Sequence, residues 1–166
     1  MLLDCKQLFE VEGLRQEIEA TVDLSQIELW GEGALSEAAA VHGEVCNRAG
    51  IVTLQYEVSF TLSAPCDRCL EPVKEEKKMA FSHILVREVP QEDPEDEYIV
   101  CEGDGLDLEE LVIADVILSM PAKLLCREDC KGLCPTCGIN LNKESCGCDK
   151  KKVDPRLEAL RALLDQ

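Results

Sequence analysis

Eight thiols in close pairs are the most specific chemical feature of this chain. Six lie between Cys126 and Cys148, in the run CREDCKGLCPTCGINLNKESCGC, and two stand far upstream as Cys66-Asp-Arg-Cys69. Disulfides, a redox couple and a metal ion compete for such sulfurs. The opening residues, MLLDCKQLFE, have neither the basic start nor the apolar core of a secretory leader. No uninterrupted apolar stretch approaches the ~18 residues that cross a bilayer. The expected compartment is therefore the cytoplasm, without a membrane, where thiols stay reduced. Eleven cysteines, an odd number, also do not close into a full disulfide framework. A structural metal, zinc above all, fits better, because zinc takes four soft ligands in a tetrahedron. A Cys-x-x-Cys turn can aim two sulfurs at one ion, and Gly132, Pro135, Gly138 and Gly147 help the backbone fold around it. Structural sites of this kind contribute about 10–16 kcal/mol of apparent binding energy to folding. An iron–sulfur cluster and a thiol redox pair are the competing chemistries.

One or two ions fit the spacing, and two partitions stand open. Cys134, Cys137, Cys146 and Cys148 can close a local site, with Cys66, Cys69, Cys126 and Cys130 closing a second that stitches the front of the chain to its back. Alternatively Cys66 and Cys69 join Cys134 and Cys137 as the two knuckles of a zinc ribbon.

The first pair needs a rigid support, and a strand supplies it. Val52, Leu54, Tyr56, Val58, Phe60 and Leu62 alternate with polar residues, a period of two that puts the apolar set on one face. Asn47-Arg48-Ala49-Gly50 reads as the turn that precedes it. A third arm leaves through Val73, Met79, Phe81 and Leu85, so Cys66 and Cys69 are expected at the tip of a hairpin. Lys74–Lys78 reads as a solvated strand face, and His42 and His83 as partly exposed strand residues rather than ligands. Upstream, Ile18, Ala20, Val22 and Leu24 mark another half-buried strand, and residues 1–15 suggest a short edge strand and a turn of helix. The acidic stretch 87–105 is expected to be a loop, with a short strand at Tyr98-Ile99-Val100 within it. Residues 107–120 read as a helix with Asp107 as N-cap, Glu110 at the third position and Pro121 as its stop. On that helix Asp115 is expected to be either a buried partner of Arg68 or a rim residue. Asp154-Pro155 opens a last helix with Leu157, Leu160, Leu163 and Leu164 along it.

The expected class is α+β: an antiparallel sheet of five or six strands packed by one main helix, with a Cys-rich, zinc-binding C-terminal section and a short terminal helix. Residues 1–121 form the β-rich domain in this reading and 122–166 the Cys-rich segment. The net charge of −17 is uneven, with 8 Lys+Arg against 27 Asp+Glu over residues 1–120 and 9 against 7 over residues 121–166. Such a chain is poorly suited to wrapping nucleic acid by phosphate neutralisation. If it acts on RNA, a basic protein partner is the easier physical route. Catalysis is not expected, since there are only two His, no HExxH and no nucleophile elbow.

Three segments together resemble the YceD family of bacteria and plastids, the large ribosomal RNA subunit accumulation proteins. They are Cys66-Asp-Arg-Cys69 after an alternating strand, Gly105-Leu-Asp-Leu-Glu-Glu-Leu leading to Met120-Pro121, and Cys130-Lys-Gly-Leu-Cys134-Pro-Thr-Cys137-Gly-Ile-Asn140-Leu-Asn142. Asp154-Pro155-Arg156-Leu157 also fits, and the resemblance covers most of residues 50–166. It implies a non-enzymatic role in ribosome biogenesis: accumulation of 23S rRNA and assembly of the large ribosomal subunit. The partner would be a precursor of that subunit or a basic ribosomal protein, with direct RNA contact left open. Arg68 and the basic run Lys150, Lys151 and Lys152 are the side chains expected to touch it. A zinc–thiolate redox sensor or a regulatory interaction module is the alternative.

Overall fold

The computed structural model describes residues 1–29, 31, 33–35, 38–89 and 98–148. Lys150, Lys151, Lys152, the terminal helix expected from Asp154 and the acidic run 91–97 lie outside the described residues. In chain order the elements are β1 (Leu2–Asp4), α1 (Lys6–Glu10), β2 (Arg15–Val22), β3 (Ala39–Arg48), β4 (Ile51–Pro65), β5 (Pro72–Val86), β6 (Tyr98–Val100), β7 (Gly105–Asp107) and α2 (Leu108–Ser119). They form an α+β arrangement with a five-stranded sheet in the order β2-β3-β4-β5-β6 and a small sheet pairing β1 with β7.

Strand β4 is the spine. Its six alternating apolar residues, Val52 to Leu62, are all buried, as a period of two against a one-sided core requires. The β3–β4 turn has two residues, Ala49 and Gly50, both at positive φ (53° and 85°), the backbone that matches strand twist in a two-residue hairpin. Asn47, buried beside it, accepts from the Gly50 N–H at 3.0 Å and donates to the Leu8 carbonyl at 2.7 Å, tying α1 to the sheet.

Several expectations need correction. The sheet is mostly antiparallel, but β6 runs parallel to β5, with Ile84 opposite Tyr98. Eleven residues separate Val86 from Tyr98, close to the dozen or so that a parallel return requires. Within the stretch 87–105 the short strand expected at Tyr98–Val100 is present and adds to the main sheet, but Glu102–Asp104 makes a 3₁₀ turn and Gly105 opens β7 where a loop was expected. The partner of β7 is β1, about a hundred residues earlier, so no local pattern announces it. In the run Lys74–Lys78, Lys74, Glu75, Glu76 and Lys78 are exposed as expected, and only Lys77, opposite Phe60 and paired with Glu75 at 2.8 Å, is partly covered.

On α2, Asp107 caps the first turn by accepting from the Glu109 N–H at 3.0 Å. Leu108, Val112 and Val116 are buried in the same core as β4. Asp115 does not meet Arg68. It accepts from the Tyr56 hydroxyl and lies 2.6 Å from His83 Nε2. The β4–β5 register places Tyr56 and His83 in mid-sheet, whereas Arg68 sits beyond the end of β4, where its Nη1 donates to the Cys130 carbonyl at 2.8 Å. The segment after β2 also contributes to the core. Leu24, Ile27, Ala34 and Leu35 are buried, and the Ser63 N–H donates to the Ala34 carbonyl at 2.7 Å.

Candidate metal centres

The β4–β5 hairpin ends in a knuckle. The Cys66 N–H donates to the Glu71 carbonyl at 2.8 Å, the Leu70 N–H donates to the Cys66 carbonyl at 2.9 Å, and Leu70 adopts φ +60°. Residues 134–139 repeat this wiring. The Cys134 N–H donates to the Ile139 carbonyl at 2.8 Å, the Gly138 N–H donates to the Cys134 carbonyl at 2.9 Å, and Gly138 has φ +73°. The two Cys-x-x-Cys motifs are thus one local structure used twice.

The knuckles do not share a site. The sulfurs group as Cys66, Cys69, Cys126 and Cys130 in one cluster and Cys134, Cys137, Cys146 and Cys148 in the other, each set lying within 4.8 Å of one another. This is the first of the two expected partitions, and the zinc-ribbon alternative is not the arrangement seen. Separations of 3.9 Å for Cys66–Cys130, 3.6 Å for Cys69–Cys126 and 3.4 Å for Cys134–Cys146 are far longer than a disulfide of about 2.05 Å. The donor set is four soft thiols at a common centre, which suits a metal ion.

Return of the chain to the first knuckle is specified by backbone bonds. The Asp67 N–H donates to the Leu124 carbonyl at 2.9 Å, and the Leu124 N–H donates to Asp67 Oδ2 at 2.6 Å. The Leu133 N–H donates to the Arg68 carbonyl at 3.0 Å. Gly132 passes so close that a Cβ there would lie 2.9 Å from the Arg68 carbonyl oxygen. Lys143 pairs with Glu71 across the two segments. Cys66, Cys69, Cys130 and Cys134 are buried, whereas Cys126 and Cys137 are exposed.

Electrostatics differ among the thiols. Burial opposes the Cys66 thiolate, but N–H groups of Cys126, Arg68 and Cys69 bring its pKa down to about 6. The N–H groups of Cys137 and Thr136 do the same for Cys134, also to about 6. Cys148 is pushed up to about 12, chiefly by its contact with the Cys137 sulfur and by burial. Close thiols cannot all ionise together unless a cation offsets their charge.

The other expected residues fall elsewhere. His83 is a partly exposed strand residue on Asp115, and His42 is exposed, 4.0 Å from Glu19. Arg68 is exposed, with its guanidinium on the Cys130 carbonyl. Asn142 was not singled out by type or spacing, yet its Nδ2 donates to Cys130 Sγ at 3.3 Å. Its signal in the sequence is its place at the end of the Cys130–Asn142 segment that carries the family resemblance.

A family model described as "Large ribosomal RNA subunit accumulation protein YceD" matches residues 54–164, which span both clusters. The chain belongs to the YceD family. An uncharacterized protein of Mycobacterium tuberculosis is 35% identical over 114 residues, covering 64% of this chain and 55% of its own length. The uncharacterized protein YlbN of Bacillus subtilis is 30% identical over 127 residues, 74% of each chain. A maize chloroplast protein named large ribosomal RNA subunit accumulation protein YCED homolog 1 is 27% identical over 141 residues, 66% of this chain and 48% of the maize one. The chain thus spans about half the length of the mycobacterial and maize proteins. No solved structure matches. The names of the family model and of the maize protein both refer to accumulation of large-subunit ribosomal RNA. Among the described residues, no helix is long and apolar enough to cross a membrane.

Proposed function

We propose that this YceD-family chain is a zinc-stabilised, non-enzymatic cytoplasmic factor in large-subunit biogenesis that supports 23S rRNA accumulation by holding a basic ribosomal protein or an assembly intermediate that carries one. The observation that carries this reading is the pairing of two four-thiol clusters with an acidic sheet face. A tetrahedron with metal–sulfur bonds of about 2.3 Å has sulfur–sulfur edges of about 3.8 Å, and the separations of 3.4, 3.6 and 3.9 Å already approximate that edge. Bound zinc supplies a dication that lets the thiols ionise together. The protein's own residues do the rest: Cys66, Cys69, Cys126 and Cys130 would hold one ion, and Cys134, Cys137, Cys146 and Cys148 the other. Four thiolates fill a tetrahedral shell and leave no position for a substrate, which supports a structural rather than catalytic role.

The solvent-facing side of the sheet carries a trough of about 800 Å³ lined by Glu17, Glu19, Glu44 and Glu57 together with His42 and Gln55. Glu44 is engaged with Arg15 at 3.1 Å. A surface of this sign steers a cationic partner and repels a bare phosphate backbone. Arg68, exposed on the first knuckle, and Lys150–Lys152 would be secondary contacts. Residues 1–121 would then supply the acidic body and 122–166 the metal-braced end.

Metal content is the first test. Protein purified without chelator should carry two zinc ions per chain, and Cys66→Ser and Cys146→Ser should each lose one. Association with precursor large-subunit particles should weaken steeply between low and high salt, and salt-independent association would defeat the acidic-face mechanism. Exposure of Cys126 and Cys137 favours a second reading, a redox sensor that releases zinc on oxidation. Release of zinc by mild peroxide, with parallel loss of particle binding, would favour that sensor.

A further inference from the structure

We infer that Asn142 couples the two thiol clusters: held in the loop of the second, its side-chain amide points at a sulfur of the first and tightens the hold of that first cluster on its metal. The inference rests on the metal reading above and deepens it.

Asn142 lies between Cys137 and Cys146, so the second cluster encloses its loop. Its Oδ1 accepts from the Lys131 N–H at 2.8 Å, which fixes the amide orientation because a backbone N–H can face only the oxygen. Nδ2 is then turned to the first cluster, 3.3 Å from Cys130 Sγ and 2.9 Å from Asn140 Oδ1. The loop is not free to place this amide elsewhere. The Leu141 N–H donates to the Gly132 carbonyl at 2.9 Å, Asn140 bridges to Leu133, and the Asn142 N–H donates to Asn140 Oδ1 at 2.9 Å. Leu133 is in turn bonded to the Arg68 carbonyl of the first knuckle.

An amide donor to a thiolate spreads its charge and stabilises the ionised form that a metal binds. The second cluster draws its ligands from 15 residues, 134–148, while the first must join residues about sixty apart. Closing the smaller loops costs less chain entropy. The second cluster therefore loads readily, sets residues 140–142, and presents the donor to Cys130 before the longer closure is complete.

Competition of zinc against a chromophoric chelator tests this with the full-length wild type, Asn142→Asp, Cys146→Ser and the double variant. Asn142→Asp keeps the acceptor for Lys131 but puts a carboxylate oxygen where the donor to sulfur and to Asn140 Oδ1 stood. The uncharged Asn142→Ala is therefore measured beside it and must weaken the same ion for the lost donor, rather than the added charge, to be the cause. The expected result is two ions in Asn142→Asp, one bound about tenfold more weakly than in wild type and the other unchanged. Cys146→Ser should keep a single ion, also weakened about tenfold, and adding Asn142→Asp should then cost much less than a further tenfold. Wild-type affinity at both sites of Asn142→Asp overturns the inference. So does equal weakening of both, or a remaining ion in Cys146→Ser held as tightly as in wild type. A wild-type chain that takes up no zinc would sink the metal reading itself, and this inference with it.

Discussion

At the residue scale, the two knuckles allow a direct comparison of backbone strain. Gly138 and Leu70 occupy the same position with φ near +70° and +60°, but only one of them is glycine. An L-residue in the left-handed region costs about 1–2 kcal/mol. Gly138→Ala, whose Cβ would meet nothing within 4 Å, should therefore destabilise the metal-loaded protein by about that much. Leu70, 64% exposed, loses little packing when truncated. Leu70→Gly should be neutral or stabilising by up to about 1 kcal/mol, the relief being partly offset by the greater freedom of glycine in the unfolded chain. Denaturant midpoints of both variants measure this. Burial, and then its bond to Asp115, raise the Tyr56 pKa above the ordinary value of a phenol. The folded state thus holds this proton more tightly than the unfolded state. The resulting stability is present below the ordinary phenol value of about 10 and is lost as pH rises beyond it toward the folded value. Tyr56→Phe should cost about 1–3 kcal/mol near pH 7 by removing a donor from Asp115. That deficit should shrink above about pH 10, as read from unfolding midpoints of both proteins across the range.

At the element scale, the decisive interface is the long β4 strand with β3 on one side and β5 on the other. Gly43 marks the closest approach. A Cβ at this position would lie 2.2 Å from the Gln55 carbonyl oxygen and 2.5 Å from Tyr56 Cβ. Both obstacles are held by the β3–β4 ladder, so neither can swing aside as a flexible side-chain tip would. Gly43→Ala should destabilise by about 1–3 kcal/mol, the usual range for overpacking. Thermal unfolding would detect it, and a smaller effect would mean that the ladder opens there at little cost. The alternation in β4 was readable because a one-sided core demands a period of two. The β1–β7 pair was not, since three-residue strands carry no period and the two partners lie about a hundred residues apart.

At the scale of the whole molecule, the first cluster ties the tip of the β4–β5 hairpin to the segment after α2, and the second closes that segment on itself. The sheet has its own core, from Leu3 to Leu124, separate from the small cluster around Cys66, Cys69 and Cys130. Removal of the metal proposed for the two clusters should therefore act unevenly. On chelation, hydrogen exchange should accelerate over residues 66–71 and 124–142 while β2, β3 and the first half of β4 keep their protection. Uniform loss of protection would show that the metal sites and the sheet fold as one unit. The acidic face lies on the opposite side of the sheet from that core, and the proposed binding of a basic partner there should survive loss of the second proposed ion better than loss of the first.

The sequence by itself determined the soft-ligand chemistry, the alternating strand that carries the first thiol pair, the capped helix and the acidic balance, because each is written in residue type or short-range spacing. Only the tertiary structure decided which cysteines share a centre, that Asp115 serves Tyr56 and His83 rather than Arg68, that β6 runs parallel, and that Asn142 reaches Cys130. Those outcomes depend on backbone and side-chain contacts between segments that only the fold brings together, and a linear pattern of residue types carries no record of which groups will meet.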